Sequence, residues 1–167
     1  MQRCTQSMFV LCLAAAAVSG AAAGTVTVSY VNAPGFADAG ATAWEKDATL
    51  KALSEHLQAL GQRHLPVEQA LQVEVLDVDL AGELRPSRRA GQELRVVKGG
   101  ADWPRIKLRY TLVADGKALL SGEERVVDMN YAAGLASQRN SDPLHFEKRM
   151  LDTWFKARLV ERRAAGD

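Results

Sequence analysis

Ile106, Leu108, Tyr110 and Leu112 alternate with Lys107, Arg109 and Thr111. A period of two puts all four apolar side chains on one side of an extended chain, which specifies a half-buried strand. Ala114-Asp115-Gly116-Lys117 follows, with the Asp-Gly pair that favours a tight hairpin turn, and residues 118–129 return as the partner strand. A loop over residues 115–117 sets Arg109 opposite Glu123 and Ile106 opposite Val126, and leaves Glu124 facing Leu108 on the apolar side. A loop shorter by one residue puts Glu123 and Arg125 there instead. In either register a charge interrupts the apolar face. It must lie at the sheet edge, be paired, or serve a function.

The other elements fall on either side of this hairpin. Residues 25–31 alternate strictly, with Val26, Val28 and Tyr30 on one face and Thr25, Thr27 and Ser29 on the other. Asn32-Ala33-Pro34-Gly35 ends that strand with turn residues. Leu50, Leu53, Leu57 and Leu60 then recur at helical spacing within residues 42–63, and Thr42 with Glu45 has the spacing of a capping box. Leu71, Val73 and Val75 alternate with Gln72 and Glu74, but the apolar set slips to Leu76, Val78 and Leu80. A change of face within a strand predicts a bulge or bend. Residues 83–100 carry Arg85, Arg88, Arg89, Arg95 and Lys98 among glycines, which reads as a long basic loop with room for one short strand at residues 94–97. Asp142-Pro143 predicts a helix start, and the stripe of Leu144, Leu151, Trp154, Phe155 and Leu159 predicts a helix over residues 144–162. Trp154 and Phe155 are neighbours, so only one of them is expected to lie deep.

The expected fold is therefore α+β: a two-layer sandwich, with a mostly antiparallel sheet of about four strands and two helices on one face, in the order β-α-β-β-β-α. The opening strand–helix–strand segment is compatible with a parallel crossover.

Arg3, the apolar run over residues 8–18 and the Ala21-Ala22-Ala23 triplet have the three-part pattern of a secretory signal peptide, cut near Ala23. Residues 1–23 are read as that leader and residues 24–167 as one domain, which gives a periplasmic address. The apolar run is short and alanine-rich for a membrane span. Cys4 and Cys12, the two cysteines of the chain, leave with the leader, so the exported form has no thiol chemistry. Of the 167 residues 47% are apolar; 21 lysines and arginines face 20 acidic residues. That balance argues against a dedicated nucleic-acid binder, which carries a strong basic excess.

Four stretches carry a resemblance: Asp77-Val78-Asp79-Leu80-Ala81-Gly82-Glu83; Trp103-Pro104-Arg105-Ile106; Gly122-Glu123-Glu124-Arg125 with Asp128-Met129-Asn130-Tyr131; and residues 147–155, from Glu147 through Trp154-Phe155. In this order they resemble the exported proteobacterial proteins of domain-of-unknown-function family 3016. The resemblance implies a periplasmic address. It implies no activity, so no residue role is carried over from it.

The chemistry-bearing residues give no familiar catalytic set. Asp77-x-Asp79-x-x-Gly82 copies part of a calcium loop, but Ala81 and Arg88 stand where that loop needs oxygen ligands. His56, His64 and His145 lack zinc-ligand spacing. No nucleophile elbow, phosphate loop or dinucleotide glycine pattern is present, and no cofactor is expected. The residues singled out as a polar or binding patch are Asp77, Asp79, Arg88, Arg89, Trp103, Arg105, Glu124 and Asp128. They point first to a small non-catalytic binding module whose partner is an envelope protein or an anionic ligand, with the basic stretch beside Trp103 as the contact. The alternative is a carboxylate- or metal-assisted hydrolase acting near residues 77–83 and the hairpin of residues 105–128. A third reading is a structural factor that recruits another chain along a sheet edge.

Overall fold

A computed structural model describes residues 23–86, 93–133 and 141–161. The leader expected at residues 1–23 lies outside this set but for Ala23, and Arg88 and Arg89 lie outside it altogether. The main sheet has the strands β1 (Thr25–Tyr30), β2 (Gln69–Asp79), β5 (Arg105–Ala114) and β6 (Lys117–Val127), in the order β1-β2-β5-β6. β1 runs parallel to β2, and the remaining pairs are antiparallel. Two further strands, β3 (Glu83–Pro86) and β4 (Glu93–Val96), form a separate antiparallel ribbon. The α+β architecture and the four-stranded, mostly antiparallel sheet are those expected. The ribbon is new, because a basic loop with a single short strand was expected there.

The helix α1 (Ala43–His64) makes the crossover between β1 and β2. Thr42 caps it: its hydroxyl accepts from the Glu45 N–H at 3.2 Å, and the Glu45 carboxylate accepts from the Thr42 N–H at 3.1 Å. Leu50, Leu53, Leu57 and Leu60 are buried in the core. Gly61 lets the helix lie close to β1, because a Cβ there would stand 2.2 Å from a methyl of Val26.

The bulge in β2 falls between Val75 and Asp77. Leu71, Val73 and Val75 before it and Val78 and Leu80 after it are all buried, so the extra residue keeps both halves facing the helices. The β5–β6 hairpin combines the two registers the sequence allowed. Ala114 pairs with Lys117, which leaves the two-residue turn Asp115-Gly116, with φ of 49° and 74°. An irregularity between Leu112 and Val113 then moves the ladder by one residue. From Leu112↔Leu120 onward the pairing is that of the longer loop: Arg109 faces Glu123, Leu108 faces Glu124 and Ile106 faces Val126.

The helix α2 (His145–Phe155) starts later than Asp142-Pro143 predicted. Asp142 bends the chain instead: its carboxylate accepts from the Leu144 N–H at 2.9 Å and its carbonyl from the His145 N–H at 3.2 Å. Beyond Phe155 the chain widens into a π-helical stretch, Lys156–Glu161. Trp154 and Phe155 are both buried, against the expectation that only one would lie deep. Trp154 meets Tyr110 of the sheet edge-to-face at 5.4 Å, while Phe155 stacks near His64 of α1 at 6.1 Å. α2 sits in the corner between sheet and neighbouring helix, so adjacent positions find separate apolar surfaces. No helix among the described residues is long and apolar enough to cross a membrane.

Candidate functional site

The polar residues singled out in the sequence fall on opposite sides of the sheet. Asp77, Asp79 and Arg105 belong to the face turned away from the helices. Asp79 is paired with Arg105, which the register sets directly opposite, and Asp77 accepts from the Ala37 N–H at 2.9 Å. On the same face Arg109 bridges Glu74 at 2.7 Å and Glu123 at 2.9 Å, and Lys107 reaches Glu123 at 2.8 Å. These cations hold the Glu123 carboxyl below its ordinary range, Lys107 most strongly. Each such pair is solvent-exposed and contributes little stability singly.

Glu124 lies on the helix side. Its carboxylate accepts from the Tyr110 hydroxyl at 2.9 Å and from Arg158 at 3.0 Å. The charge that conflicted with the apolar pattern is thus both paired and on the edge strand. Asp128, just past β6, accepts from Arg149 of α2 at 2.9 Å and from the Asn130 N–H at 3.0 Å. The tryptophans divide three ways: Trp154 is buried, Trp103 is half-buried against a small second core, and Trp44 on the first turn of α1 is 77% exposed.

The densest polar network surrounds that second core, where the end of β2, the ribbon and the start of α2 meet. Ala81, Tyr131 and Phe146 form it, with Trp103 and Ala132 packed against it. Tyr131 is fully buried and meets Phe146 edge-to-face at 4.8 Å. The Tyr131 hydroxyl donates to Asp102 at 2.6 Å and accepts from the Gly99 N–H at 3.0 Å. Burial and the neighbouring Asp102 carboxylate push the Tyr131 hydroxyl up to about 12. Asp102 also accepts from the Lys98 and Gly100 N–H groups, at 2.9 and 2.8 Å. Desolvation opposes its ionisation, but these donors and Tyr131 together hold its carboxyl below the usual value.

The ribbon is tied to this network by Arg95, which makes two bonds to the Asp38 carboxylate, at 2.8 and 2.9 Å, and one to the Ala81 carbonyl at 3.3 Å. Glu147 on α2 is 1% exposed. Its Oε1 accepts from the Ala81 N–H at 2.8 Å, while Oε2 is buried and has no hydrogen-bond partner. Burial raises the Glu147 carboxyl above its ordinary value, against the opposing pull of the Ala81 N–H, Arg95 and His145. At His145 the ring Nδ1 lies 2.8 Å from the Asp142 carbonyl. A carbonyl only accepts, so Nδ1 carries the proton. The other ring nitrogen, Nε2, is buried and unpartnered.

His145, Phe146, Val97, Lys98, Met129 and Asn130 are among the residues that line a cavity of about 700 Å³. The cavity is of the size that takes small ligands, and it offers a mixture of apolar walls and a few polar atoms. Trp103 and Asp128 of the sequence-derived patch lie beside it, through the second core and the turn before Tyr131. Asp77, Asp79, Arg105 and Glu124 belong to the surroundings described above. Glu147, Tyr131, Asp102 and Arg95 were not singled out in the sequence. Glu147 alone left a readable signal, as a charge three residues after Leu144 and four before Leu151 on the apolar stripe of α2. Among the described residues no group of three or more histidine, cysteine or acidic side chains is placed to hold a metal ion.

Residues 24–157 match the family described as protein of unknown function (DUF3016), and the chain belongs to that family. No curated protein and no solved structure matches it.

Proposed function

We propose that this member of the family is an exported, periplasmic, non-catalytic binding module that receives a small anionic ligand in the cavity beside the start of α2. One observation carries the reading: His145, one of whose ring nitrogens is buried without a partner, lines a cavity of about 700 Å³ together with Lys98. A buried polar atom without a partner costs free energy, on the order of 1–3 kcal/mol. With Nδ1 carrying the proton, Nε2 accepts, so a ligand O–H that reaches it, such as that of hydrogen phosphate, removes that cost. The Asp142 carbonyl fixes the other nitrogen as a donor, so the ring is already oriented. Export is supported by the charged, apolar and small-residue pattern of residues 1–23.

Inorganic phosphate is the probe, titrated by calorimetry. Saturable binding is expected, and it falls at least tenfold in His145→Asn. That variant keeps a donor for the Asp142 carbonyl and loses the free nitrogen. Equal binding by the variant, or no heat with the parent protein, removes the site. In Arg88→Ala/Arg89→Ala, weaker binding supports a contribution from the basic stretch, and unchanged binding excludes it. Export is checked by the mass of the protein in the periplasmic fraction, which begins at Gly24 if the leader is cut after Ala23.

A further inference from the structure

The two edges of the main sheet are built differently. β6 opens with Lys117, is kinked where Leu119 is the extra residue opposite Leu112 and Val113, and carries Glu124 on the helix-facing side. A bulge and an inward charge are the devices by which sheet edges resist pairing with another chain. β1 has none of them. Its six residues, Thr25–Tyr30, contain no charge and no proline, and pair with β2 without interruption. Thr25, Thr27 and Ser29 are exposed, and Val28 and Tyr30 are only partly buried. Among the described residues nothing pairs with the outer side of β1 within the main sheet.

We propose that β1 is a dimer interface: two copies of this chain pair β1 with β1 in antiparallel fashion about a two-fold axis at Val28, joining two four-stranded sheets into one of eight strands. The strand is self-complementary in that register. Thr27 of one copy faces Ser29 of the other, a hydroxyl pair, and Val26 faces Tyr30, a β-branched residue against an aromatic one. Thr25 faces Val31, which is 47% exposed in the single chain. The helix layer fits the same axis. Lys51, Glu55, Gln58 and Gln62 are exposed and recur at spacings of four, three and four along α1. Gln58 and Gln62 share a recess with Thr25 and Val26, so this flank of α1 borders the free edge.

Val26 lies against Gly61, and the Tyr30 hydroxyl reaches the Leu50 carbonyl and Ser54. The level of Val28 is therefore near residues 56–57 of α1. A two-fold axis there sets Lys51 of one copy against Gln62 of the other and Glu55 against Gln58. No like charges meet, and each charged side chain faces an amide. α1 packs on β1, so the helices of the two copies lie side by side across the axis.

Sedimentation analysis of the protein in the form that producing cells accumulate tests this, from nanomolar to high micromolar concentration. The parent is expected at twice the mass of the single chain. Thr27→Lys/Ser29→Lys sets lysine against lysine at two symmetric points and is expected to sediment as a single chain. Thr27→Lys/Ser29→Glu restores opposite charges at the same points and is expected to recover the double mass. Both altered positions are exposed, and thermal melts confirm that all three forms fold. A parent that stays single at every concentration overturns the proposal. So does a double-lysine form that still pairs, or a lysine–glutamate form that does not.

Discussion

Replacing Glu147 by glutamine separates the burial of a carboxyl from the burial of its shape. The glutamine carbonyl keeps the bond from the Ala81 N–H, which is 2.8 Å long in the parent. Its NH₂ group takes the unpartnered position of Oε2, as the O–H of the protonated acid would. Near pH 4.5, the ordinary value of the carboxyl, the two proteins are expected to agree within about 1 kcal/mol. Burial raises the carboxyl in the folded state, so above pH 4.5 the unfolded chain is ionised while the folded chain still holds its proton. Unfolding then releases that proton, and the parent loses stability as pH rises, by at most about 1.4 kcal/mol per pH unit, until pH passes the folded-state value. Glutamine has no such dependence. The carboxylates common to both proteins cancel in the difference. Urea unfolding at unit steps from pH 4 to pH 8 measures it: the advantage of the variant should grow with pH and then level off. Parallel curves, with a constant difference at every pH, would refute the assignment of Glu147 as a buried acid held protonated. Glu147→Ala leaves the Ala81 N–H without an acceptor and should be less stable than glutamine by about 1–3 kcal/mol.

Further outcomes follow from the same network. Tyr131→Phe strands the Gly99 N–H and removes one donor to Asp102, for an expected loss of about 1–3 kcal/mol in urea unfolding. With Tyr131 pushed up to about 12, its ionisation should come above the ordinary value of 10 in an absorbance titration, and folded stability should decline as pH rises past 10. Arg95→Ala frees the ribbon from Asp38 and should raise amide exchange in β3 and β4 while leaving β2 and β5 protected. Phe155→Ala empties a fully buried position and should cost roughly 3–5 kcal/mol.

Where a local pattern decided the structure, the sequence was enough. The slip at Leu76 became the bulge of β2, the Asp-Gly pair became a two-residue turn, and Thr42 with Glu45 became a capping box. Arg109 faces Glu123 in one of the two registers that the sequence left open, and the irregularity between Leu112 and Val113 selects it. What was not legible depended on residues far apart in the chain. Arg95 meets Asp38 across 57 positions, and Glu147 meets Ala81 across 66. Nothing local to residues 93–96 says that Arg95 will hold a ribbon down rather than point into water. The start of α2 was misplaced because Asp142 bonds its own turn, a competing use of the side chain that favours a cap. Glu147 was visible as a charge on an apolar stripe, but its one bonded oxygen and one orphaned oxygen depend on where β2 ends.

The place of α2 in chain order bears on assembly. β1, α1 and β2 precede the other strands of the main sheet, whereas Tyr110 packs against Trp154 of a helix that follows every strand. Until that last helix docks, half of the sheet's oily side stays wet, and the network around Tyr131 has no floor. A polypeptide delivered from its amino end would pass through such an intermediate, and a holding chaperone would find its handle there.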